Sequence, residues 1–368
     1  MRILIVIPGA GVGGIATGLL GILKSFDPSR HRFIIVASHS GGARKLFRRN
    51  RFKYIVLPPR GRVGFLRSLI LREKIQLVQS CDSATEGALA ARQLNLPHIW
   101  YVGGNIEQAF KGPNQRSLRS FKVMMSSLSD KIVVQSRALA RDVFPNLLKR
   151  QIQVIPWGVE PGTGPCKVFR KAYPSIGMVA NFYPAKRHMD FLSAASMIYR
   201  KVPRARFLIA GHTLRHPESV RYKQKILRAI QKRKLNQIVR MTKFAPDQSS
   251  KWYQRLNLLI IPSYEGMSQA MLEAGIHSVP VVAANIGGVR DVIRNQKSGL
   301  LTPYQNSHKM AEAAVTILMR PQLARRLAKN NRTYILKSLT ASSQAKKFDR
   351  LYHHELQKQA QQDLNEKR

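Results

Sequence analysis

Short, continuously apolar runs alternate with stretches of helical periodicity along almost the whole of this 368-residue chain. The first series of candidate strands is Ile3–Ile7, Phe33–Ala37, Tyr54–Leu57, Leu77–Gln79, Ile99–Val102, Ile132–Val134 and Val154–Ile155. The second is Ile176–Val179, Phe207–Ala210, Ile238–Met241, Leu258–Ile261 and Val279–Val282. Helical stretches such as Ala16–Ser25, Ala84–Leu94 and Leu118–Leu128 lie between strands. A strand with apolar side chains at every position is buried on both faces, and strands separated by helices pair in parallel. The expected class is therefore α/β, built as two doubly wound parallel-sheet domains. Pro156, Gly158, Pro161, Gly162, Gly164, Pro165 and Pro174 interrupt regular structure between the two series. They divide the chain into an N-terminal domain over 1–160 and a C-terminal domain over 161–335. The polar segment 336–368 reads as helix that packs back across the domain junction and frays after about Gln357.

Several classes are disfavoured at once. The opening MRILIVIP is too short for a signal core or a membrane span, and no run approaches ~18 apolar residues, so no transmembrane helix is expected. Cys81 and Cys166 make no ligand pattern, and packing thiols in a reducing, cytoplasmic compartment fit them. His, Cys and carboxylates are too scattered for a metal cage, and no Asp-x-Asp pair suits a Mg²⁺-diphosphate bridge. No metal or cofactor is expected.

Charge is the second constraint. Lys and Arg number 62 against 19 Asp and Glu, a net +43. Residues 1–165 hold 25 basic and 8 acidic residues, and the remainder holds 37 and 11, so the excess is not confined to a tail. Such a field attracts polyanions and anionic membranes, or simply keeps the chain dispersed. Between Arg60 and Lys74, Arg62, Arg67 and Arg72 interleave with Val63, Phe65, Leu66, Leu69, Ile70 and Leu71. That pattern suits a basic amphipathic helix lying on lipid headgroups. Specific nucleic-acid binding is not expected, because no aromatic-rich stacking motif or zinc finger accompanies the charge.

In doubly wound sheets ligands bind outside the carboxyl ends of the strands, and the notable clusters fall there. Gly9–Gly14 follows the first strand, but its spacing is not GxGxxG and no acid ends the second strand, which disfavours a nicotinamide dinucleotide. It is an acceptor or diphosphate pocket wall, with Gly13 and Gly14 closest to the helix, or merely a tight turn. Asn181–His188 carries Lys186 and Arg187, two cations able to neutralise a diphosphate. Gly211-His212, Ser263–Ser268 and Gly287-Gly288 follow later strands. Glu265 is expected in a turn and Glu273 on the helix beyond it. A carboxylate can accept two hydroxyl hydrogen bonds, as the vicinal diol of ribose requires. Taken alone, Glu265 could equally cap a helix dipole and Glu273 be a surface residue.

These residues resemble a family. Pro262-Ser263-Tyr264-Glu265-Gly266-Met267-Ser268, Met271-Leu272-Glu273-Ala274, Val279–Ala283, Gly287-Gly288 and Gly299-Leu300-Leu301 are similar to the Glu–x7–Glu signature of the retaining family 4 glycosyltransferases. Gly177–Phe182 with Lys186, Phe207–Gly211 and Val154–Glu160 resemble the same family, strongly over 150–305 and more weakly before. The resemblance implies the GT-B architecture: two Rossmann-like domains facing across a cleft, with a nucleotide-sugar donor on the second and an acceptor mainly on the first. By that likeness Glu273 holds ribose hydroxyls, and Glu265 meets the donor sugar or its phosphate. The backbone of Gly266, Met267, Ser268 and Gln269 also meets the donor, and Lys186 faces the diphosphate beside Asn181, Arg187 and Gly211. Lys186 and Glu265 would be catalytic. Three positions depart from the pattern: Asn181 stands where a basic residue is frequent, Gln269 where Asn is usual, and Gly103-Gly104-Asn105 where a histidine is common. Asn105 or Glu107 would then serve the acceptor side with Gly13 and Gly14.

The implied activity is retaining hexosyl transfer from a UDP- or GDP-sugar to a glycan or lipid-linked acceptor. The setting is cell-surface polysaccharide or lipopolysaccharide biosynthesis, by a cytoplasmic enzyme held peripherally at the inner face of an anionic membrane. The alternatives are a nucleotide-sugar epimerase on the same architecture and a basic nucleic-acid-binding protein.

Overall fold

The computed structural model describes residues 1–9, 14–39, 41–103, 115–144, 151–162, 173–213, 217–244, 248–264 and 267–366. The chain divides into two compact units, Met1–Gly158 with Ala341–Arg368, and Val159–Thr340.

The first unit runs β1 (Arg2–Ile7), α1 (Gly14–Lys24), β2 (Arg32–Ala37), α2 (Ala43–Arg49), β3 (Lys53–Val56), α3 (Arg62–Glu73) and β4 (Leu77–Cys81). It continues through α4 (Thr85–Gln93), β5 (His98–Val102), α5 (Gln115–Ser127), β6 (Lys131–Val134), α6 (Arg137–Val143) and β7 (Ile152–Val154). The strands form one parallel sheet in the order β3-β2-β1-β4-β5-β6-β7. Five of six residues in β1 and every residue in β4 and β5 are buried, as strands sandwiched between helix layers must be.

Helix α3 corrects one expectation. Leu66, Leu69 and Ile70 do not face outward for lipid; they are buried with Leu4, Val6, Ile34 and Val78 in the core. Only Phe65 and Leu71 are exposed, among the exposed Arg67, Arg72 and Lys74. The helix has one apolar stripe, and that stripe covers the sheet.

The second unit runs β8 (Ser175–Val179), a 3-10 turn (Pro184–Lys186), α7 (His188–Lys201), β9 (Arg206–Ala210), α8 (Pro217–Lys232), β10 (Val239–Thr242) and α9 (Ser249–Tyr253). Then come β11 (Leu258–Ile261), α10 (Gln269–Ile276), β12 (Val281–Ala284), α11 (Val289–Val292), β13 (Leu300–Thr302), α12 (Ser307–Met319) and α13 (Pro321–Ser338). Its sheet is parallel in the order β10-β9-β8-β11-β12-β13. Strand β12 starts at Val281 rather than Val279. The Val279 N–H closes the end of α10 on the Ala274 carbonyl, 2.9 Å, and Pro280 has no N–H to offer the ladder. The short β13 was not among the expected strands.

The last helix, α14 (Ala341–Glu366), belongs to the first unit. Phe348, Leu351 and Tyr352 are buried there; Tyr352 Oη donates to Gln79 Oε1 at 2.8 Å, and His31 Nε2 lies 2.8 Å from Asp349 Oδ1. The helix continues past Gln357 to Glu366, its last turns exposed.

Candidate active site

Both sheets reverse their strand order beside their first strand, and the crevice outside such a reversal is where open α/β sheets bind ligands. In the second unit the reversal lies between β8 and β11, which pair through Ile176 with Leu258 and Gly177 with Leu259. The segments leaving these two strands are those carrying Asn181–Arg187 and Ser263–Glu273.

The exit from β8 is tightly clamped. Ala180 N–H donates to the Ala210 carbonyl at 2.9 Å, and Phe182 N–H to the His212 carbonyl at 3.0 Å. Asn181 Oδ1 accepts from the His212 N–H at 3.3 Å, so this oxygen holds β8 and β9 together instead of facing a ligand. Gly211 makes the close approach possible: a Cβ there would sit 1.9 Å from the Ala180 carbonyl oxygen. The 3-10 turn then lifts half-buried Lys186 off the strand tip, and Arg187, in the left-handed region at φ 59°, redirects the chain into α7. The two cations expected to act together are divided. Arg187 Nε pairs with Asp190 at 2.8 Å, and its guanidinium lies 5.7 Å from the Tyr304 ring centre, so it serves the first turn of α7. Behind Lys186, His188 is fully buried between Phe182 and Tyr222, with ring centres 5.6 Å away in each case. Neither of its ring nitrogens has a hydrogen-bond partner among the described residues. Burial, with the nearby Lys186 charge, holds its pKa down to about 4, so the ring is neutral at physiological pH.

The exit from β11 passes through buried Ser263, Met267 and Ser268 into α10. Ser268 is extended and provides no side-chain cap, which leaves the first amides of the helix unsatisfied by its hydroxyl. Gln269, Glu273 and His277 follow at helical spacing and share one face. Helix α9 packs on α10, and its Ser250 Oγ lies 3.1 Å from His277 Nε2. The Tyr253 ring stacks on the His277 ring at 5.7 Å and 14°. Glu273 is half-buried, and burial pushes its pKa up to about 7; the nearby Tyr253 hydroxyl and Gln269 amide partly offset that rise. No full hydrogen bond closes at Tyr253 Oη, and Gln269 Oε1 also lacks a partner among the described residues. A titrating carboxyl thus stands beside an unsatisfied hydroxyl and an unsatisfied carbonyl, a set that a polyhydroxylated ligand could complete.

Glu265 and Gly266 lie outside the described residues, as do Gly13, Asn105 and Glu107; Gly14 opens α1. In the first unit sequence reasoning missed Asp82, at the carboxyl end of β4. Its Oδ1 accepts from the Gly103 N–H at 2.8 Å, tying the exit of β4 to the exit of β5. Tyr253 was missed too, because an aromatic pair before a strand reads as core. Among the described residues no group of three His, Cys, Asp or Glu side chains could hold a metal ion, and no helix is long and apolar enough to cross a membrane.

The comparisons with known proteins follow this division. The family described as Glycosyltransferase Family 4 matches residues 12–162, and that described as Glycosyl transferases group 1 matches residues 173–320. The chain belongs to the group 1, family 4 glycosyltransferases of the GT-B fold. Among relatives of this GT-B chain, the uncharacterized glycosyltransferase MJ1178 of Methanocaldococcus jannaschii is 24% identical over 272 residues, 73% of this chain and 72% of that one. The D-inositol 3-phosphate glycosyltransferase of Streptomyces bingchenggensis is 33% identical over a shorter stretch of 82 residues, 22% of this chain and 18% of its own length. In fold, the chain is similar to Anabaena Alr3699/HepE in complex with UDP-glucose, with a TM-score of 0.85, 17% identity and coverage of 96% and 100%.

Proposed function

We propose that this glycosyltransferase moves a hexose from a UDP- or GDP-sugar to a glycan or lipid-linked acceptor, with retention of anomeric configuration. One observation carries the reading: Lys186 and Glu273 sit on the two segments that leave neighbouring strands at the reversal point of the second sheet. Lys186 neutralises the charge that grows on the departing diphosphate, and Glu273 accepts the ribose hydroxyls. That the similarly folded HepE is in complex with UDP-glucose supports a nucleotide-sugar donor of this kind. Among the described residues gathered here none is placed as a nucleophile, which favours a front-face displacement in which the leaving diphosphate takes the acceptor proton. Catalysis would be positioning and charge stabilisation, without a required metal ion. Glu265 at the donor sugar and Asn105 or Glu107 at the acceptor complete the proposal. The net charge of +43 favours an anionic, membrane-associated acceptor pathway such as surface-polysaccharide or lipopolysaccharide synthesis, with the enzyme peripheral at the cytoplasmic face.

The test is a thermal-shift screen with UDP-, GDP- and ADP-sugars. A true donor at a hundred times its dissociation constant stabilises the fold by about 2.7 kcal/mol. Product NMR with the active donor then reads the anomeric outcome. Silence with all three donor classes would end the proposal, and an inverted product would end the retaining part of it. An epimerised sugar formed without acceptor would point to the rival chemistry.

A further inference from the structure

We infer that Tyr253 is a positioning residue for Glu273, its buried hydroxyl fixing which carboxyl oxygen is presented to the donor ribose, so that α9 forms part of the donor site. This rests on the reading of Glu273 as the ribose acceptor, and goes beyond it by assigning a residue outside the Glu–x7–Glu segment.

The hydroxyl is the first argument. Tyr253 is fully buried, and its Oη has no hydrogen-bond partner among the described residues. An unpaired buried hydroxyl is costly, and phenylalanine would fill the same space without that cost. Packing therefore explains the ring but not the oxygen.

The ring is held on several sides. It stacks on His277, meets Trp252 edge-on at 5.2 Å and 88°, and meets Phe244 at 6.3 Å and 73°. His277 is itself held through Nε2 by Ser250 Oγ at 3.1 Å. The hydroxyl is thereby aimed at the face of α10 that carries Gln269 and Glu273. It lies close enough to Glu273 to favour the ionised carboxylate, although no full hydrogen bond closes. Hydrogen bonds at binding sites commonly tighten only when the ligand arrives. A carboxylate has about four acceptor positions; one taken by Tyr253 leaves the outward oxygen free for a diol.

The charged surroundings are simple. From α9 the facing group is Tyr253, which burial and the neighbouring Glu273 keep protonated. At the end of α10 it is His277, whose pKa burial and Arg332 hold below its ordinary value. From α13 come Arg332, whose Nε donates to the Ile276 carbonyl at 2.9 Å, and the uncharged Asn331. Among these groups Glu273 is the carboxyl, with its pKa raised to about 7.

The experiment is calorimetric titration of UDP and GDP into wild type, Tyr253→Phe, Glu273→Gln and the double variant, between about pH 5.5 and 8.5, with melting curves alongside. Wild-type affinity should rise with pH through the Glu273 ionisation. Tyr253→Phe should lose roughly threefold near pH 6.5, because its carboxylate ionises later, and should keep a smaller loss near pH 8.5, where the carboxylate is ionised but no longer oriented. In the Glu273→Gln background the same change should be silent. An equal loss at every pH, or a phenylalanine variant that does not fold, would make Tyr253 a packing residue and overturn the inference. Full affinity in Glu273→Gln would instead remove the ribose reading itself. Weak, pH-independent binding in Glu273→Gln combined with an unshifted Tyr253→Phe profile would defeat this inference alone.

Discussion

Two acidic residues, one at the carboxyl edge of each sheet's neighbourhood, are treated in opposite ways. Asp82 is committed inward: its Oδ1 takes the Gly103 N–H at 2.8 Å, and its carbonyl takes the Trp100 indole at 2.8 Å. Glu273 lies beside a hydroxyl and a carbonyl that have no partners among the described residues, and its pKa is raised to about 7. Two buried histidines repeat the contrast. His98 lies 3.0 Å from both Ser129 Oγ and Ser80 Oγ, whereas His188 has neither nitrogen bonded among the described residues. In the first unit these polar groups are scaffold; in the second they are left open beside the segments that carry the donor-site candidates. The contrast belongs to these pairs, for Tyr101 Oη and Gln135 Oε1 of the first unit also lack partners. Buried polar groups are normally satisfied, so those left open beside a sheet's reversal point indicate where a ligand completes the structure.

The sharpest way to break this comparison is Lys186→Ala. If Lys186 meets the developing diphosphate charge, the barrier rises by about 2–4 kcal/mol, read as a fall in kcat/KM. A variant at the full wild-type rate would leave the edge of the second sheet no more chemical than that of the first.

The two acidic residues should respond with opposite sign. The folded pKa of Glu273, about 7, exceeds its ordinary 4.5. The folded state therefore binds more protons between those values, and stability falls as pH rises through that window. Glu273→Gln should remove the loss, adding about 2 kcal/mol above pH 7 and little below pH 4.5, while weakening nucleotide binding. Asp82→Ala should instead destabilise the first unit by about 1–3 kcal/mol by stranding the Gly103 amide, with nucleotide affinity unchanged. Denaturation curves at pH 5 and pH 8 with matched nucleotide titrations decide it; the same sign for both variants would erase the distinction.

The histidines give a smaller effect. The folded pKa of His188, about 4, lies below the ordinary 6.5, so the unfolded chain binds more protons between those values and stability falls on acidification. His188→Leu should flatten that slope and cost less than about 1 kcal/mol at pH 8, because no hydrogen bond is lost. His98→Leu should cost about 1–3 kcal/mol at pH 8 by removing both ring hydrogen bonds and stranding the Ser80 hydroxyl, while Ser129 keeps its bond to the Met125 carbonyl. Equal costs at pH 8 would show that the open nitrogens of His188 carry no information.

The smallest change is expected at α3. Replacing Phe65 and Leu71 by Ser should alter stability by no more than about 0.5 kcal/mol each. If this surface touches lipid, the pair should reduce co-flotation with anionic vesicles and leave recovery with neutral vesicles unchanged. Equal recovery of wild type from both vesicle types would remove the electrostatic membrane reading.

Much of the fold was legible because its signals are local. β1, after Arg2, and β11 are continuous apolar runs, and a strand buried on both faces needs that pattern. Legibility failed where one local pattern allows two partners. The apolar stripe of α3 fits lipid or a sheet equally well, and the sheet took it. Arg187 looks like a ligand cation beside Lys186 until Asp190 and Tyr304 are seen to hold it. Tyr253 carried no signal, because an aromatic residue in a core and one aimed at a carboxylate share the same letter.

The chain's own periodicity and its glycine and proline punctuation were enough to establish two parallel-sheet series and to place the candidate clusters at strand ends, since backbone propensity and burial pattern act over a few residues. Only the tertiary structure put β8 beside β11, so that the segments carrying Lys186 and Glu273 leave adjacent strands, and packed α9 against α10. Strand order and helix packing depend on contacts between residues far apart in the chain. The state of Glu273 follows from them, because the cost of ionising a carboxyl depends on what surrounds it in space.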